Sequence, residues 1–255
     1  MMGQTGGQQW RIYGGHRLWY APEDSPRTYY PDNFPVRCKE HPGFLRVIQP
    51  PETGTGIQKE MDVRLSLGQA HVRVSHRLRN TGWQAFMLAP WALSVMAPSG
   101  TAVIPLPPRG RHPEALRPAS TITLWPYSDL SDPRWTWGRQ YVLLRQDVRA
   151  TTPQKAGYLV PDGWVAYVRA GHLFLVRFDP VPGALYPDLG STVETWTDAD
   201  MLELETLGPL VRLEPGAVVE HTEHWFLFRD VPTPRSDTDV VEHILPRMSA
   251  ARDGE

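Results

Sequence analysis

Proline and glycine interrupt this chain so often that long helices are excluded. The 255 residues include 26 prolines and 21 glycines, which leave almost no helical window longer than about ten residues uninterrupted. Runs of about five to ten residues with strand character lie between these breaks and end in turn signals such as Asn80-Thr81-Gly82. The pattern predicts an all-β chain, and the length predicts one large domain.

The domain organisation is predicted to have three parts. Residues 1–9 resemble an expression-tag fragment or a divergent start, residues 10–231 form the folded domain, and residues 232–255 form a polar tail. The tail either closes with a short helix over 240–248 or stays irregular. The predicted strands are 44–49, 57–67, 71–80, 86–97, 102–105, 121–126, 141–147, 163–170, 172–179, 192–197, 200–213 and 218–228.

Two kinds of strand pattern indicate more than one sheet. Residues 57–67 and 71–80 alternate in polarity and are joined by a short glycine-containing turn, so they predict a hairpin with one wet face. Residues 86–96 are almost wholly apolar, as is typical of a strand covered on both faces. Together they predict at least two stacked sheets.

Charge and cysteine content exclude several classes of partner. The 26 basic and 28 acidic residues nearly balance and the basic ones are dispersed, so no nucleic-acid partner is expected. The single cysteine, Cys38, excludes an internal disulfide and a multi-cysteine metal site. No apolar window approaches about 18 residues, and the N-terminus lacks signal-peptide character. We therefore expect no membrane partner and a cytoplasmic location, and the sequence leaves the oligomeric state open.

Ionisable groups are concentrated near the C-terminus. Residues 201–213 and 218–228 are predicted to pair as a hairpin through a Glu-Pro-Gly turn. Alternation places Glu203 and Glu205 on one strand face, and it likewise groups His221, Glu223 and Trp225. If the two faces coincide, carboxylates, an imidazole and an indole converge, which is costly without a ligand or a catalytic role. We therefore predict the functional site here.

Residues elsewhere have the chemistry of a carbohydrate site, because flat indoles stack on sugar rings while charged groups bind hydroxyls. The candidates are His16 and Arg17 after Gly14-Gly15, Trp91, Trp125, Arg134 and Asp188. Structural roles are the alternative for each: the indoles close the ends of the sandwich, and the charged groups form ion pairs or hold turns.

Neither a cofactor nor a metal is expected. The chain has no phosphate-binding glycine loop and no nucleophile elbow. The alternative is a metal held by His221 and Glu223, with His16 and Glu205 completing the ligands.

Five segments resemble a bacterial family of unassigned activity within the galactose mutarotase-like superfamily: residues 14–23, 89–98, 124–129, 186–190 and 202–209. The resemblance extends over roughly residues 10–230. It implies a β-supersandwich whose concave sheet binds carbohydrate. It also implies that the first strands of that fold are lacking, since little chain precedes Gly14.

The resemblance to aldose epimerases assigns Glu205 as the catalytic base. Their glutamate lies in a Leu-Glu-Thr context before a Leu-x-Pro-Gly turn, as Glu205 does here. The position of their acid histidine is similar to Pro90-Trp91, so His221 or His16 is predicted to supply the acid. The leading interpretation is an aldose 1-epimerase-like isomerase acting on a sugar or sugar acid. A non-catalytic carbohydrate-binding module and a glycoside hydrolase or lyase using paired carboxylates are the alternatives.

Overall fold

The predicted all-β sandwich is confirmed, with two antiparallel sheets packed face to face. The computed structural model of the protein describes residues 6–25 and 27–252. Residues 1–5 of the predicted start and residues 253–255 of the predicted tail lie outside this description.

The elements are numbered in chain order. The strands are β1 (Gly15–Ala21), β2 (Arg37–His41), β3 (Phe44–Ile48), β4 (Ile57–Leu65), β5 (His71–Asn80), β6 (Phe86–Met96), β7 (Thr101–Pro105), β8 (Ile122–Leu124), β9 (Trp135–Trp137), β10 (Tyr141–Arg145), β11 (Gln154–Tyr158), β12 (Trp164–Arg169), β13 (His172–Phe178), β14 (Val193–Thr197), β15 (Leu202–Leu207), β16 (Val211–Leu213) and β17 (Val218–Arg229). The helices are α1 (Asp237–His243) and α2 (Leu245–Arg252).

Within the described residues, seven strands form one sheet, called the cleft sheet after a cleft on its outer face, and ten form the other, called the back sheet. The cleft sheet has the order β1-β6-β15-β14-β11-β8, with β16 also paired to β6. The back sheet has the order β2-β3-β4-β5-β17-β13-β12-β7-β10-β9. Side chains such as Tyr158 and Leu204 from the cleft sheet and Tyr167 and Val176 from the back sheet fill the space between them. Burial of this apolar surface holds the two sheets together.

Strand β15 presents different chemistry on its two faces. Leu202 and Leu204 belong to the core between the sheets, and Thr206 lies on the same face by alternation. Glu203 and Glu205 consequently project from the outer face of the cleft sheet. The strand lies at the centre of this sheet, with β6 on one edge and β14 on the other.

The predicted hairpin of 201–213 with 218–228 is wrong. Both edges of β15 are occupied within the cleft sheet, so it has no free edge for β17. The turn over 214–217 does form, with the amide of Ala217 donating to the carbonyl of Glu214 at 3.0 Å. It joins the short β16 to β17, which pairs with β5 and β13 in the back sheet. The chain therefore crosses from one sheet to the other at this turn.

Among the other strands, those with a clear sequence pattern were predicted and those with a weak pattern were missed. The hairpin of β4 with β5 is confirmed, and β6 is covered on both faces over most of its length. Strands β1, β2, β9 and β11 were not predicted. Strand β1 begins at a glycine and β11 contains Lys155 and Gly157, so their local β propensity is weak and tertiary pairing decides their conformation.

The C-terminal segment packs against the back sheet. Ser236 caps α1 by accepting a hydrogen bond from the amide of Asp239. Val240, Ile244 and Met248 join a core cluster with side chains of the back sheet, including Leu175. No helix within the described residues has the length and apolar character needed to span a membrane.

Candidate functional site

A cleft of about 390 Å³ lies on the outer face of the cleft sheet. This volume falls within the usual range for small-molecule sites. Six aromatic side chains contribute to its lining: Trp10, Trp19, Tyr29, Trp91, Tyr127 and Trp196. Such rings offer flat apolar surface together with polar edges, a combination suited to sugars.

Lys155 is the centre of a charged cluster beneath these rings. Its Nζ lies 3.0 Å from Glu194 Oε2 and 3.8 Å from Glu205 Oε2. The same atom lies 4.7 Å from the ring centroid of Trp91 and 4.4 Å from that of Trp125. Only 5% of the lysine side chain is exposed. The ammonium is therefore held by carboxylates and indole faces in place of water.

Burial raises the pKa values of the carboxyl groups in this cluster. Burial opposes the charged form of Lys155, but Glu205 and Glu194 outweigh it and raise its pKa. Burial raises the pKa of Glu194 well above its usual value against the opposing effect of Lys155. Burial and then the charge of Glu205 raise the pKa of Glu203 to about 8. Because one ammonium balances one carboxylate, part of this cluster is protonated at neutral pH.

Glu205 lies behind the cleft lining, in contact with the lining residues Trp91 and Lys155, and is fully shielded from solvent. Its Oε2 accepts a 2.7 Å hydrogen bond from Trp91 Nε1. Burial raises the pKa of Glu205, while Lys155 and the Trp91 donor oppose that rise. Its other oxygen, Oε1, has no hydrogen-bond partner among residues 6–25 and 27–252, and the same holds for Arg17 Nη1 and Trp19 Nε1. Unpaired buried polar atoms beside a cavity indicate groups that a ligand can satisfy.

A second cluster, the interior cluster, lies between the two sheets. It consists of His16, His76, Thr206, His221 and Glu223. The hydroxyl of Thr206 donates to Glu223 Oε1, so it accepts from His221 Nε2 at 2.7 Å. Burial lowers the pKa of His221 to about 3 and raises that of Glu223 to about 7. These groups are buried and engaged on the opposite face of β15 from the cleft.

Two predicted site residues, Glu203 and Trp91, line the cleft. Glu205 and Trp125 lie behind this lining, in contact with Trp91 and Lys155 respectively. Arg17 lies at the margin of the cleft, with its guanidinium 5.1 Å from the Trp10 ring centroid and paired to Asp32 at 3.2 Å. Asp188 adjoins the cluster in the turn before β14, where its charge raises the pKa of Glu194.

The remaining predicted residues lie elsewhere. His221, His16, Glu223 and Trp225 belong to the interior, because alternation along β1 and β17 turns them toward the space between the sheets. The predicted convergence of His221 and His16 with Glu205 on one face is therefore corrected, since both histidines contact interior partners. The predicted metal set of these groups with Glu205 is likewise separated by β15.

Arg134 does not belong to the cleft. It precedes β9 in the back sheet, where its Nη2 lies 2.9 Å from Asp132 Oδ2 and donates to the carbonyl of Thr152 at 2.6 Å. The arginine therefore holds a loop.

Two central residues, Lys155 and Glu194, were missed from the sequence. Glu194 had a signal in the sequence. It shares a strand face with Trp196, two residues later on β14, just as Glu203 shares one with Glu205 on β15. Lys155 had none, because a lone lysine in a short strand is typical of a solvated edge. Its position depends on the pairing of β11 with β14.

A larger cavity of about 760 Å³ lies between the back sheet and the C-terminal helices. Its Asp237 accepts hydrogen bonds from the backbone amides of Arg139 and Gln140 at 2.8 and 3.0 Å. This carboxylate holds the backbone in place. We assign the site to the smaller cleft because buried, incompletely paired charges lie there.

No protein-family profile matches the sequence, and no curated protein matches it. Solved structures do match. A provisionally assigned aldose 1-epimerase from Klebsiella pneumoniae superposes with a TM-score of 0.51 at 12% identity, covering 86% of this chain and 59% of that one. A TPR-domain containing protein from Parabacteroides distasonis gives 0.51 at 14% identity, covering 86% and 38%. A galactose mutarotase-like protein from Lactobacillus casei gives 0.48 at 12% identity, covering 89% and 82%.

At these identities the likeness establishes the fold and leaves the activity open. The two-sheet architecture and the superposition agree with the predicted resemblance. The chain therefore shares the β-sandwich fold of this provisionally assigned aldose 1-epimerase, in agreement with the predicted fold class.

Proposed function

We propose that this protein binds a sugar in the cleft and interconverts its anomers by general acid–base catalysis. One observation carries the proposal: the buried ammonium of Lys155 is shared by the buried carboxyl groups of Glu194 and Glu205, and a third buried carboxyl, Glu203, lies on the same strand face beside an aromatic cleft. Such a cluster holds both a proton donor and a proton acceptor at neutral pH. The superfamily fold supports a carbohydrate ligand by analogy.

Glu205 is the base in this proposal. Lys155 and the indole N–H of Trp91 favour its ionised form, and its Oε1 has no partner among the described residues. Glu203 replaces the predicted histidines as the acid. It precedes Glu205 by two residues on the same strand face and borders the cleft. Its pKa of about 8 keeps it protonated at neutral pH.

The reaction requires two proton transfers. Glu205 removes the proton from the anomeric hydroxyl while Glu203 donates a proton to the ring oxygen, and the bond between the anomeric carbon and that oxygen breaks. The open-chain aldehyde rotates about its first carbon–carbon bond. Return of both protons closes the ring on the other face of the carbonyl, so the enzyme ends in its starting protonation state.

The charge of the cleft favours a neutral or cationic sugar over a sugar acid. Besides the protonated Glu203, acidic side chains on its lining include Glu23, Asp198 and Asp200. Lys155 is already matched by Glu194 and Glu205. A ligand carboxylate would therefore meet like charge, which costs binding free energy.

The direct test follows α–β anomer exchange by NMR saturation transfer over a panel of neutral aldoses, an amino sugar and a uronic acid. We expect exchange above the buffer rate for at least one neutral or amino sugar and the weakest response for the uronic acid. No acceleration for any sugar would refute the isomerase proposal. Release of free sugar from glycosides would indicate a hydrolase in its place.

The rate of anomer exchange is expected to fall above about pH 8. Glu203 acts in its protonated form, and its pKa is raised to about 8, so its donor fraction decreases as pH rises through that value. Glu203→Gln should lower the rate by about 10²-fold and remove the alkaline limb. The measurement is a pH–rate profile of both proteins. An unchanged alkaline limb in the variant would assign the acid to another group.

Trp196→Ala is expected to weaken sugar binding about tenfold. Trp196 is half-buried on the cleft wall, where its ring can stack on a sugar. Trp83→Ala is the matched control, since 83% of that side chain is exposed and it does not line the cleft. Calorimetric titration with the responding sugar gives both affinities. Equal losses in the two variants would contradict the stacking role.

A non-catalytic carbohydrate-binding module is the second candidate. Trp91 lies at the position that, by the resemblance, the acid histidine holds in aldose epimerases. Its Nε1 donates a 2.7 Å hydrogen bond to Glu205 Oε2. That contact rigidifies the carboxylate whether or not it accepts a proton. Saturable binding of a sugar without anomer exchange would favour this candidate.

A further inference from the structure

Three atoms of metal-ligand type meet between the sheets, on the side of β15 away from the cleft. His16 Nε2 lies 2.7 Å from His76 Nε2 and 3.8 Å from Glu223 Oε2. All three ligand atoms lie within 4.8 Å of one another. We propose that His16, His76 and Glu223 bind one divalent transition-metal ion, for which Zn²⁺ suits the ligand set best.

The hydrogen bonds of the two histidines define which nitrogens carry protons. His76 Nδ1 contacts the carbonyl oxygen of His221 at 2.9 Å. A carbonyl only accepts, so Nδ1 carries the proton, Nε2 of the neutral ring is bare, and that Nε2 accepts from His16 Nε2 at 2.7 Å. His16 Nδ1 contacts the hydroxyl of Ser94 at 2.9 Å, and a hydroxyl can accept as well as donate. An ion would therefore replace the proton between the two rings, with the proton of His16 on Nδ1 and directed to Ser94.

The spacing of the ligand atoms matches a small tetrahedral site. Metal–ligand bonds of about 2.0–2.2 Å place neighbouring ligand atoms about 3.3–3.6 Å apart. The observed 2.7 and 3.8 Å separations lie on either side of that range. Small rotations of the side chains would equalise them. Two imidazoles and one carboxylate form a donor set typical of Zn²⁺.

The surroundings of the ligands have the outer partners that metal sites use. Besides the contacts of His76 and His16, Glu223 Oε2 accepts from Trp225 Nε1 at 2.7 Å, and Glu223 Oε1 accepts from Thr206. Such contacts fix ligand orientation. His221 Nε2 is engaged by Thr206, so it is excluded from the ligand set.

The proposed ion would clamp the two sheets together. His16 lies on β1 of the cleft sheet, whereas His76 and Glu223 lie on β5 and β17 of the back sheet. The His16 side chain is 13% exposed, which gives an ion a route from solvent. Because the site lies on the other face of β15 from Glu205, it is independent of the proposed isomerase activity.

The test titrates Zn²⁺ into chelator-treated protein by calorimetry, with stoichiometry checked by elemental analysis after dialysis. We expect one bound ion and a rise in melting temperature of about 5–10 °C at Zn²⁺ 100-fold above the dissociation constant. Co²⁺ bound at the site should show the visible absorption of a low-coordinate complex.

Glu223→Gln and His16→Gln should each lose the bound ion and the rise in melting temperature. His224→Gln should keep both. His224 belongs to a second histidine pair, with His71, on the outer face of the back sheet, where Nδ1 of His224 lies 3.1 Å from Nε2 of His71. Absence of Zn²⁺ binding by the unaltered protein would overturn the proposal. So would retention of the ion in both ligand variants, or its loss in the His224 control.

Discussion

Glu205→Gln is expected to slow anomer exchange by about 10²–10⁴-fold, the usual contribution of a general base. Glutamine keeps the size of the side chain, and its amide oxygen can still accept from Trp91 Nε1, which now lies 2.7 Å from Glu205 Oε2. The variant therefore loses the proton acceptor while the cleft keeps its shape. The rate is measured by saturation transfer with the sugar that responds to the unaltered protein.

The control for this variant is Glu214→Gln. Glu214 lies in the turn before β17, paired to Arg212 with 57% of its side chain exposed, and its replacement should leave the exchange rate unchanged. Thermal melting of both variants checks that folding is retained. A Glu205→Gln protein that melts normally and still exchanges anomers at the full rate would remove Glu205 from the mechanism.

Lys155→Met is expected to destabilise the protein by about 3–5 kcal/mol, the usual cost of removing one partner from a buried ion pair. Methionine fills similar space but leaves Glu194 and Glu205 without their cation. Their folded-state pKa values then rise further. A carboxyl whose pKa is raised by folding loses stability as pH rises through that value, so the deficit should grow from pH 5 to pH 8. Denaturant unfolding at both pH values measures it.

Lys39→Met is the matched control for this variant. Lys39 lies on the exposed β2 strand, where a surface substitution changes the free energy of unfolding by about 0.5 kcal/mol or less. A pH-independent loss in the Lys155 variant would indicate that packing of the side chain matters more than its charge. An unchanged stability would show that the carboxyls need no cation.

Local patterns were sufficient to predict much of the sandwich. The hairpin of β4 with β5 and the doubly covered β6 were predictable from their own residues. A strand with one exposed face alternates in polarity, and a strand buried on both faces is apolar throughout. The shared face of Glu203 and Glu205 followed from the same two-residue period.

The C-terminal pairing was not predictable from adjacency along the chain. The turn over 214–217 was identified, but a turn does not specify whether the strands it joins share a sheet. What decides the outcome is that β6 and β14 occupy both edges of β15. Strand β14 directly precedes β15 along the chain, but β6 is distant in sequence, and no local feature of β15 identifies β6 as its partner.

The charged cluster shows the same limit at the level of single residues. Glu205 was assigned through the resemblance, and the sequence shows that Glu194 shares a strand face with Trp196. Lys155 reaches them only because β11 pairs with β14 and β14 with β15. The histidines were predicted to share a face with the acids, whereas His16 and His221 lie in the interior cluster.

The two-faced character of β15 also limits how its length can vary during evolution. An inserted or deleted residue upstream of Glu205 within the strand would exchange the directions in which Glu205 and Thr206 point. A carboxyl would then enter the space between the sheets and a hydroxyl would face the cleft side. Both clusters would fail in a single event. Homologous chains should therefore differ in β15 by replacement of residues, with changes in length confined to the connections that flank it.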